Sequence, residues 1–281
     1  MSTENIKNLV VVSDLHCGCR LGLCPPVEIP LDDGGYYKAS ELQNKVWQWW
    51  VEFWEEWVPL VTKGEPFAVV INGDSIDGVH HNSVTQISHN LVDQRGIAKI
   101  ILEPVVKQCG GHFYMIRGTE AHVEKSGQSE EVLAKELSAI PNEDGKYARW
   151  DMWVNVGETG LVHILHHIST TGSLAYETTA VMKEYTEACS DAGRWNREAP
   201  QILVRSHRHR SSKIEVPIQE GYGICIVTPG WQLKTPLAWR IPGARLSTPQ
   251  FGGIIIKAGD EDALYTRTKI WNISRTPTVR L

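Results

Sequence analysis

Three short apolar runs, each stopping at a small or acidic residue, constrain this chain more than any other feature. Leu9–Val12 ends at Ser13-Asp14, Phe67–Ile71 at Asn72-Gly73-Asp74, and His112–Arg117 at Gly118. Runs this short, with such abrupt ends, have the form of buried strands. Helical patterns separate them. Ser40-Glu41-Leu42-Gln43 opens one as a capping box, and Leu42, Val46, Trp50, Phe53 and Trp57 then recur at helical spacing until Pro59 closes it. A second runs from Ser83 to around Val106 on Ile87, Leu91, Ile97 and Ile101, with Pro104 near its end. Strand, helix, strand, helix, strand is the alternation of an α/β fold.

The second half is richer in strands. Met152–Val156 and Leu161–His166 flank Gly157-Glu158-Thr159-Gly160 and read as a hairpin. A helix is expected from Leu174 to Cys189 and a strand at Ile202–Arg205, followed by strand candidates at Lys213–Pro217, Tyr222–Val227, Gly253–Lys257 and Ala263–Ile270. No repeat, low-complexity stretch or linker interrupts the chain. Residues 1–281 are therefore expected to form one domain on two sheets.

Composition narrows the classes further. Apolar content of 42% and charged content of 22% fit a soluble globular chain. No basic stretch followed by an apolar run marks a leader, and no segment approaches the roughly 18 apolar residues of a membrane span. The six Cys form no paired CxxC framework, so reduced thiols and a cytoplasmic location are expected. Cys17, Cys19 and Cys24 cluster but lack a second pair for a zinc knuckle. The net charge of −5 gives no support to broad electrostatic capture of nucleic acid.

The polar residues that carry chemistry sit at strand ends, where open α/β sheets gather their ligands. Asp14-x-His16 follows the first strand, Gly73-Asp74-x-x-Asp77 the second, and Gly118-Thr119-Glu120-Ala121-His122 the third. His166-His167 ends the hairpin, and His207-Arg208-His209 follows Ile202–Arg205. Singly, each has a bland explanation as a surface loop, a Gly-Asp turn or a structural histidine. Five such clusters together point to divalent transition ions, because mixed carboxylate and imidazole donors suit Mn, Fe, Zn or Co better than Ca or Mg.

The order Asp14-x-His16, Gly73-Asp74-x-x-Asp77, Gly118…His122, His166 and His207-x-His209 resembles the calcineurin-like metallophosphoesterase superfamily, whose pattern is D-x-H, G-D-x-x-D, G-N-H-[DE], H and G-H-x-H. The match spans Asp14 to His209. There are two departures. Ser206 replaces the Gly of the last motif, and the third motif lacks its Asn and places His122 four residues after Gly118. The resemblance implies a four-layer αββα sandwich of two mixed sheets flanked by helices. It implies two divalent ions, Mn first, with Fe, Zn or Co as alternatives. Asp14, His16 and His209 would hold one ion and His166 and His207 the other, with Asp74 bridging. Asp77 would be a hydrogen-bond partner and His122 the catalytic acid. Glu120 is expected to take over the missing Asn's place as a ligand, the alternative being that it points to solvent and water fills that position, and Thr119 and Arg208 are expected to contact substrate. Arg205 and Arg210 flank the same motif, and a solvated basic loop is the competing explanation for all three arginines.

The implied activity is hydrolysis of phosphodiesters, with phosphomonoesters as a second class, by a bridging hydroxide. The substrate would be a nucleotide diester or nucleic acid. A protein Ser/Thr phosphatase is disfavoured, because Gly78-Val79 follows Asp77 where that branch has Arg-Gly. The alternative is a non-catalytic metal-binding or interaction module with a degenerate site.

Eleven Trp remain to be placed. Trp47, Trp49, Trp50, Trp54 and Trp57 share a helix, read as an insertion near residues 36–60. They cover more than one stripe, so some are expected to face outward. Packing on the chain's own fold is preferred over a lid, a partner helix or a homo-oligomer contact. Trp231 and Trp239 are expected to anchor a loop rather than stack a base. His80, His81 and His89 are expected at helix caps or the surface.

Overall fold

The computed structural model describes residues 5–80, 82–158, 160–169, 173–219, 221–241, 243–259, 263–274 and 278–280. The three opening runs are strands β1 (Asn8–Val12), β4 (Ala68–Asn72) and β5 (Phe113–Ile116), and they lie side by side in parallel. Between β1 and β4 come a two-residue ladder, β2 (Ile29–Pro30) with β3 (Tyr36–Tyr37), then α1 (Glu41–Glu52) and α2 (Val58–Thr62). Helix α3 (Leu91–Gln108) joins β4 to β5. Short α4 (Glu120–Val123), α5 (Gln128–Glu136) and β6 (Ala148–Arg149) follow. The β-rich half supplies β7 (Asp151–Val156), β8 (Gly160–Leu165), α6 (Glu177–Arg194), β9 (Ile202–Arg205), β10 (Ser212–Ile218), β11 (Gly221–Val227), β12 (Gln250–Ala258) and β13 (Leu264–Asn272). Thr159, in the β7–β8 turn, lies outside the described residues.

Two mixed sheets result, ordered β13-β12-β1-β4-β5-β6 and β10-β11-β9-β8-β7. Because successive side chains of a strand face opposite ways, each central strand feeds two cores. Leu9, Val11, Val70, Ile254 and Ile256 face Val162, Ile164, Ile202, Val204 and Ile226 of the other sheet. Val10, Val12, Val69, Ile71 and Met115 face outward onto Val46, Trp50, Ile97, Ile101 and Leu133 of the helices. Leu203, Cys225 and Val227 are covered by Val181 and Tyr185 of α6. Helix, sheet, sheet, helix is the four-layer arrangement expected.

Two helix boundaries differ from expectation. Pro59 does not close the first helix: residues Phe53–Trp57 form a π-helical turn and the helix runs on to Thr62. There Pro59 occupies the opening turn of α2, where its missing N–H costs little. The second helix begins at Leu91, capped by the Asn90 side chain on Val92 N–H, and the Ser83–Asn90 stretch is loop that reaches the site described below.

The Trp helix is packed rather than displayed. Trp50 and Trp54 are buried, and Trp47, Trp49 and Trp57 lie against the same core. Trp231, fully buried, meets Trp50 edge-on at 4.9 Å between ring centroids. The stripe expected to face outward is covered by Trp271 of β13, which stacks on Trp49 at 6.3 Å. Trp231 does anchor its loop, whereas Trp239 is exposed. None of the six Cys is paired, and all but Cys189 are buried. Among the described residues no helix is long and apolar enough to cross a membrane.

Candidate metal centre

The loops after β1, β4, β5, β8 and β9 converge at one end of the two sheets, so residues far apart in sequence meet. Asp14, His16 and His209 bring ligand atoms to within 4.8 Å of one another, as do Asp74, His166 and His207. These are the two ligand groups implied by the resemblance. His16, Asp74 and His122 form a third, overlapping group, which places Asp74 against both. Within them, His209 Nε2 lies 3.2 Å from Asp14 Oδ1, His166 Nε2 lies 3.1 Å from Asp74 Oδ2, and His16 Nε2 lies 3.1 Å from His209 Nε2.

Backbone geometry marks five of these residues. Asp14, His16, Asp74, His207 and His209 all have positive φ, between 47° and 71°. That region costs a non-glycine residue on the order of 1 kcal/mol or more, and such strain concentrates at functional sites. It lets each loop turn sharply off its strand and aim a side chain into the cleft. Gly118 serves the opposite need: a Cβ there would collide with Asp74 Oδ1.

Hydrogen bonds fix which histidine nitrogen faces the cleft. His166 Nδ1 donates to Asn72 O (2.6 Å), His16 Nδ1 to Asp77 Oδ1 (3.1 Å) and His122 Nδ1 to Asp77 O (2.6 Å). Nε2 of all three is thereby turned inward, the arrangement that orients metal-binding imidazoles. Asp77 is thus a hydrogen-bond partner, as implied, and also accepts from Gln86 Nε2 (2.8 Å) and Gln232 Nε2 (3.2 Å). Burial works to raise the Asp77 carboxyl, but its bonds from His16 and His80 hold it well below the usual carboxylate range.

The donor set fits divalent ions. Asp14 Oδ1 and His166 Nε2 are buried, and each faces an opposite partner inside the cleft, His209 Nε2 at 3.2 Å and Asp74 Oδ2 at 3.1 Å. Burial disfavours a charged His166, yet Asp74 and Asp14 lift it to about 10, while burial of Asp74 is overcome by His166 and His122 and its carboxyl falls well below the ordinary value. In the metal-free protein a proton on His166 therefore balances carboxylates that a cation would otherwise neutralise.

The reshaped third motif behaves differently from expectation. Glu120 is exposed at the start of α4 and belongs to none of the ligand groups, so the ligand role expected for it does not fit this placement. The two extra residues become the first turn of α4, which points Glu120 outward. Thr119 instead grips Asp74: its N–H donates to Oδ1 at 2.7 Å and its hydroxyl at 3.2 Å. His122, at the end of the turn, does reach the cleft, with Nε2 4.0 Å from Asp74 Oδ2. Burial depresses it to about 4 against the pull of Asp74.

The arginines divide. Arg205 Nε donates to Glu184 and Arg210 Nε to Glu177, each at 3.0 Å, so both are engaged with α6. Arg208 lines the cleft while its guanidinium donates to the carbonyls of Ser169 and Glu177. His80, expected at the surface or a cap, lines the cleft with Nε2 3.6 Å from Asp77 Oδ2. His89 and His167 are exposed, and His81 lies outside the described residues.

Several buried polar residues escaped the sequence reading. Glu130 of α5 accepts from Ser75 N–H (2.8 Å) and Gly118 N–H (2.7 Å), tying two ligand-bearing loops together. Ser206, the departure in the last motif, bonds Asn72 Nδ2 (2.6 Å) and Thr228 Oγ1 (2.7 Å), and Thr228 in turn meets Ser13 (2.7 Å). This chain staples the strand ends of both sheets beneath the ligands. Thr228 and Gln232 follow β11 and obey the strand-end rule that picked out the other five clusters. Nothing local marks Glu130, which reads as one charge in a helical run.

No family model matches this sequence, and no curated protein does. Solved structures similar to it include Chaetomium thermophilum Vps29 (8% identity, 95% of this chain and 98% of that one, TM-score 0.39). A metallophosphoesterase from Sphaerobacter thermophilus is also similar (9% identity, 96% and 89%, TM-score 0.39). So is Thermus thermophilus sulfate thiohydrolase SoxB (11% identity, 97% of this chain and 57% of that one, TM-score 0.40). Likeness at this level bears on neither substrate nor activity.

Proposed function

We propose that this chain is a calcineurin-like metallophosphoesterase that hydrolyses phosphodiester bonds with two divalent transition ions, Mn being the first candidate. The observation that carries this is the pair of Asp/His groups, Asp14-His16-His209 and Asp74-His166-His207, meeting in one cleft. Divalent ions held there lower the pKa of water toward neutrality and neutralise charge on phosphoryl oxygens. Asp74, held in place by Thr119, would be the ligand shared between the two groups.

The chain's own residues do the rest. Asp77 and the Asn72 carbonyl hold His16 and His166 in the tautomer that offers Nε2. His122 presents Nε2 to the cleft with its other nitrogen locked on Asp77 O. A phosphodiester anion within reach favours the imidazolium of His122 over the neutral ring that burial selects, and that proton passes to the leaving oxygen as its bond to phosphorus breaks.

A second reading, a non-catalytic metal-binding module, is favoured by one observation: the third motif gives Thr119 to Asp74 instead of a ligand to the ions. Turnover separates the two. Hydrolysis of bis(4-nitrophenyl) phosphate should vanish on chelation and return with Mn. Asp74→Asn should lower both metal content and rate by about 100-fold or more, and Asp77→Asn should do less. Full activity in protein verified metal-free would refute the proposal.

A further inference from the structure

The cleft does not end at the ligands. The cavity they line, about 480 Å³ in all, extends past them. One wall is a segment of residues 233–241 and 243–249 that brings Leu233, Pro236, Leu237 and Ile241 to the cavity together with Lys234 and Arg240, and Val84 faces it from the Ser83–Asn90 loop. Leu237 and Ile241 are each 42% exposed and Val84 is 84% exposed, so this apolar surface meets solvent right beside the ligand groups. The wall is pre-formed. Lys234 Nζ donates to the carbonyls of Arg245 and Ser247 and lies over the Trp239 ring, pulling the segment into a closed loop. Arg210, one residue beyond the last ligand, donates from Nη1 to Gly243 O at 3.2 Å while its Nε holds Glu177. The wall and the final His motif are thus fastened to each other.

We infer that this segment is a specificity wall, and that the substrate is a small organic phosphodiester with one compact apolar ester group lying on it, not a polynucleotide. This rests on the phosphoesterase reading above and chooses between the substrate classes it leaves open. Three features decide. The volume is that of a small-molecule site. Among the described residues no Trp, Tyr or Phe lines the cavity, so the aromatic platforms on which single-stranded bases stack are missing. The apolar side chains line the same cavity as His16, Asp74, His207 and His209, so the ester substituent of a phosphate held there has this surface to cover, and covering it is favourable in proportion to the area removed from water.

The test uses the full chain loaded with Mn and two diesters with the same leaving group, bis(4-nitrophenyl) phosphate and methyl 4-nitrophenyl phosphate. The second aryl group should lower KM roughly tenfold or more. Leu237→Asp and Ile241→Asp, on an exposed loop that tolerates polar residues, should shrink that ratio to below about threefold without altering metal content. Calorimetry with diphenyl and dimethyl phosphate should show the same selectivity without turnover. A single-stranded oligonucleotide should be cut far more slowly than the aryl diester. Hydrolysis with equal KM for the two esters, a ratio unmoved by either variant, or preferred cleavage of the oligonucleotide overturns the wall while leaving a phosphoesterase. Selective binding of diphenyl phosphate without turnover of any ester overturns the enzyme and keeps the wall.

Discussion

Replacing Glu130 by Gln removes one of two acceptors that hold the loops of Asp74 and Thr119 in register. The carboxylate is fully buried, with Oε1 on Ser75 N–H at 2.8 Å and Oε2 on Gly118 N–H at 2.7 Å. An amide offers one oxygen, so the other N–H faces an NH₂ group and loses its partner. A bond from N–H to a carboxylate is worth about 1.5–3 kcal/mol, which becomes a roughly 10- to 100-fold loss of affinity for ions held by Asp74. The metal-free protein should feel the change far less. Burial and the neighbouring Asp74 push the Glu130 carboxyl up to about 7 against the bonds from Ser75 and Gly118, so near neutral pH it is already half protonated there. The half already neutral loses no charge on substitution, so the metal-free melting temperature should fall by less than that of the metal-loaded protein. Mn calorimetry and metal-free thermal melts on both proteins read the two quantities. Wild-type Mn affinity in Glu130→Gln, or a melting loss in the metal-free protein as large as in the loaded one, would refute a positioning role.

Two further outcomes follow from the site. His166 is raised to about 10 by Asp74 and Asp14 against burial, so its proton stabilises the metal-free fold fully below about pH 6.5, and that stability is lost as pH rises through 10. Metal uptake at pH 8 should therefore release a proton from His166, seen as a buffer-dependent binding enthalpy; no dependence on buffer would contradict the assignment. Glu120→Gln should leave metal content and the ratio of diester to monoester rates unchanged, because Glu120 is exposed outside every ligand group; loss of one ion would restore it as a ligand.

What the sequence determined by itself is the part written in local patterns. Short apolar runs with polar ends specify buried strands and the turns that leave them, and the residues next to those ends are the ones that can enter a shared cleft. Asp14, His16, Asp74, His122, His166, His207 and His209 were legible for that reason. The boundaries near Pro59 and Leu91 were not, because a π-helical turn and a side-chain cap moved them against the periodicity. The tertiary structure decided everything that depends on which loops meet. Glu130 looks like any helical carboxylate until packing buries it between residues 75 and 118. Glu120 has the chemistry of a ligand, yet two extra residues fold into a helical turn and point it at solvent. The Trp helix carries two apolar stripes, and the second is covered by Phe251 and Trp271, both about 200 residues or more later in the chain. The apolar wall of residues 233–241 and 243–249 has no periodicity to announce it, and Arg210 and Lys234 help fasten it beside the ligands. Periodicity encodes the conformation of neighbours along the chain; contact between distant loops is set by how the two sheets pack, which no local pattern records.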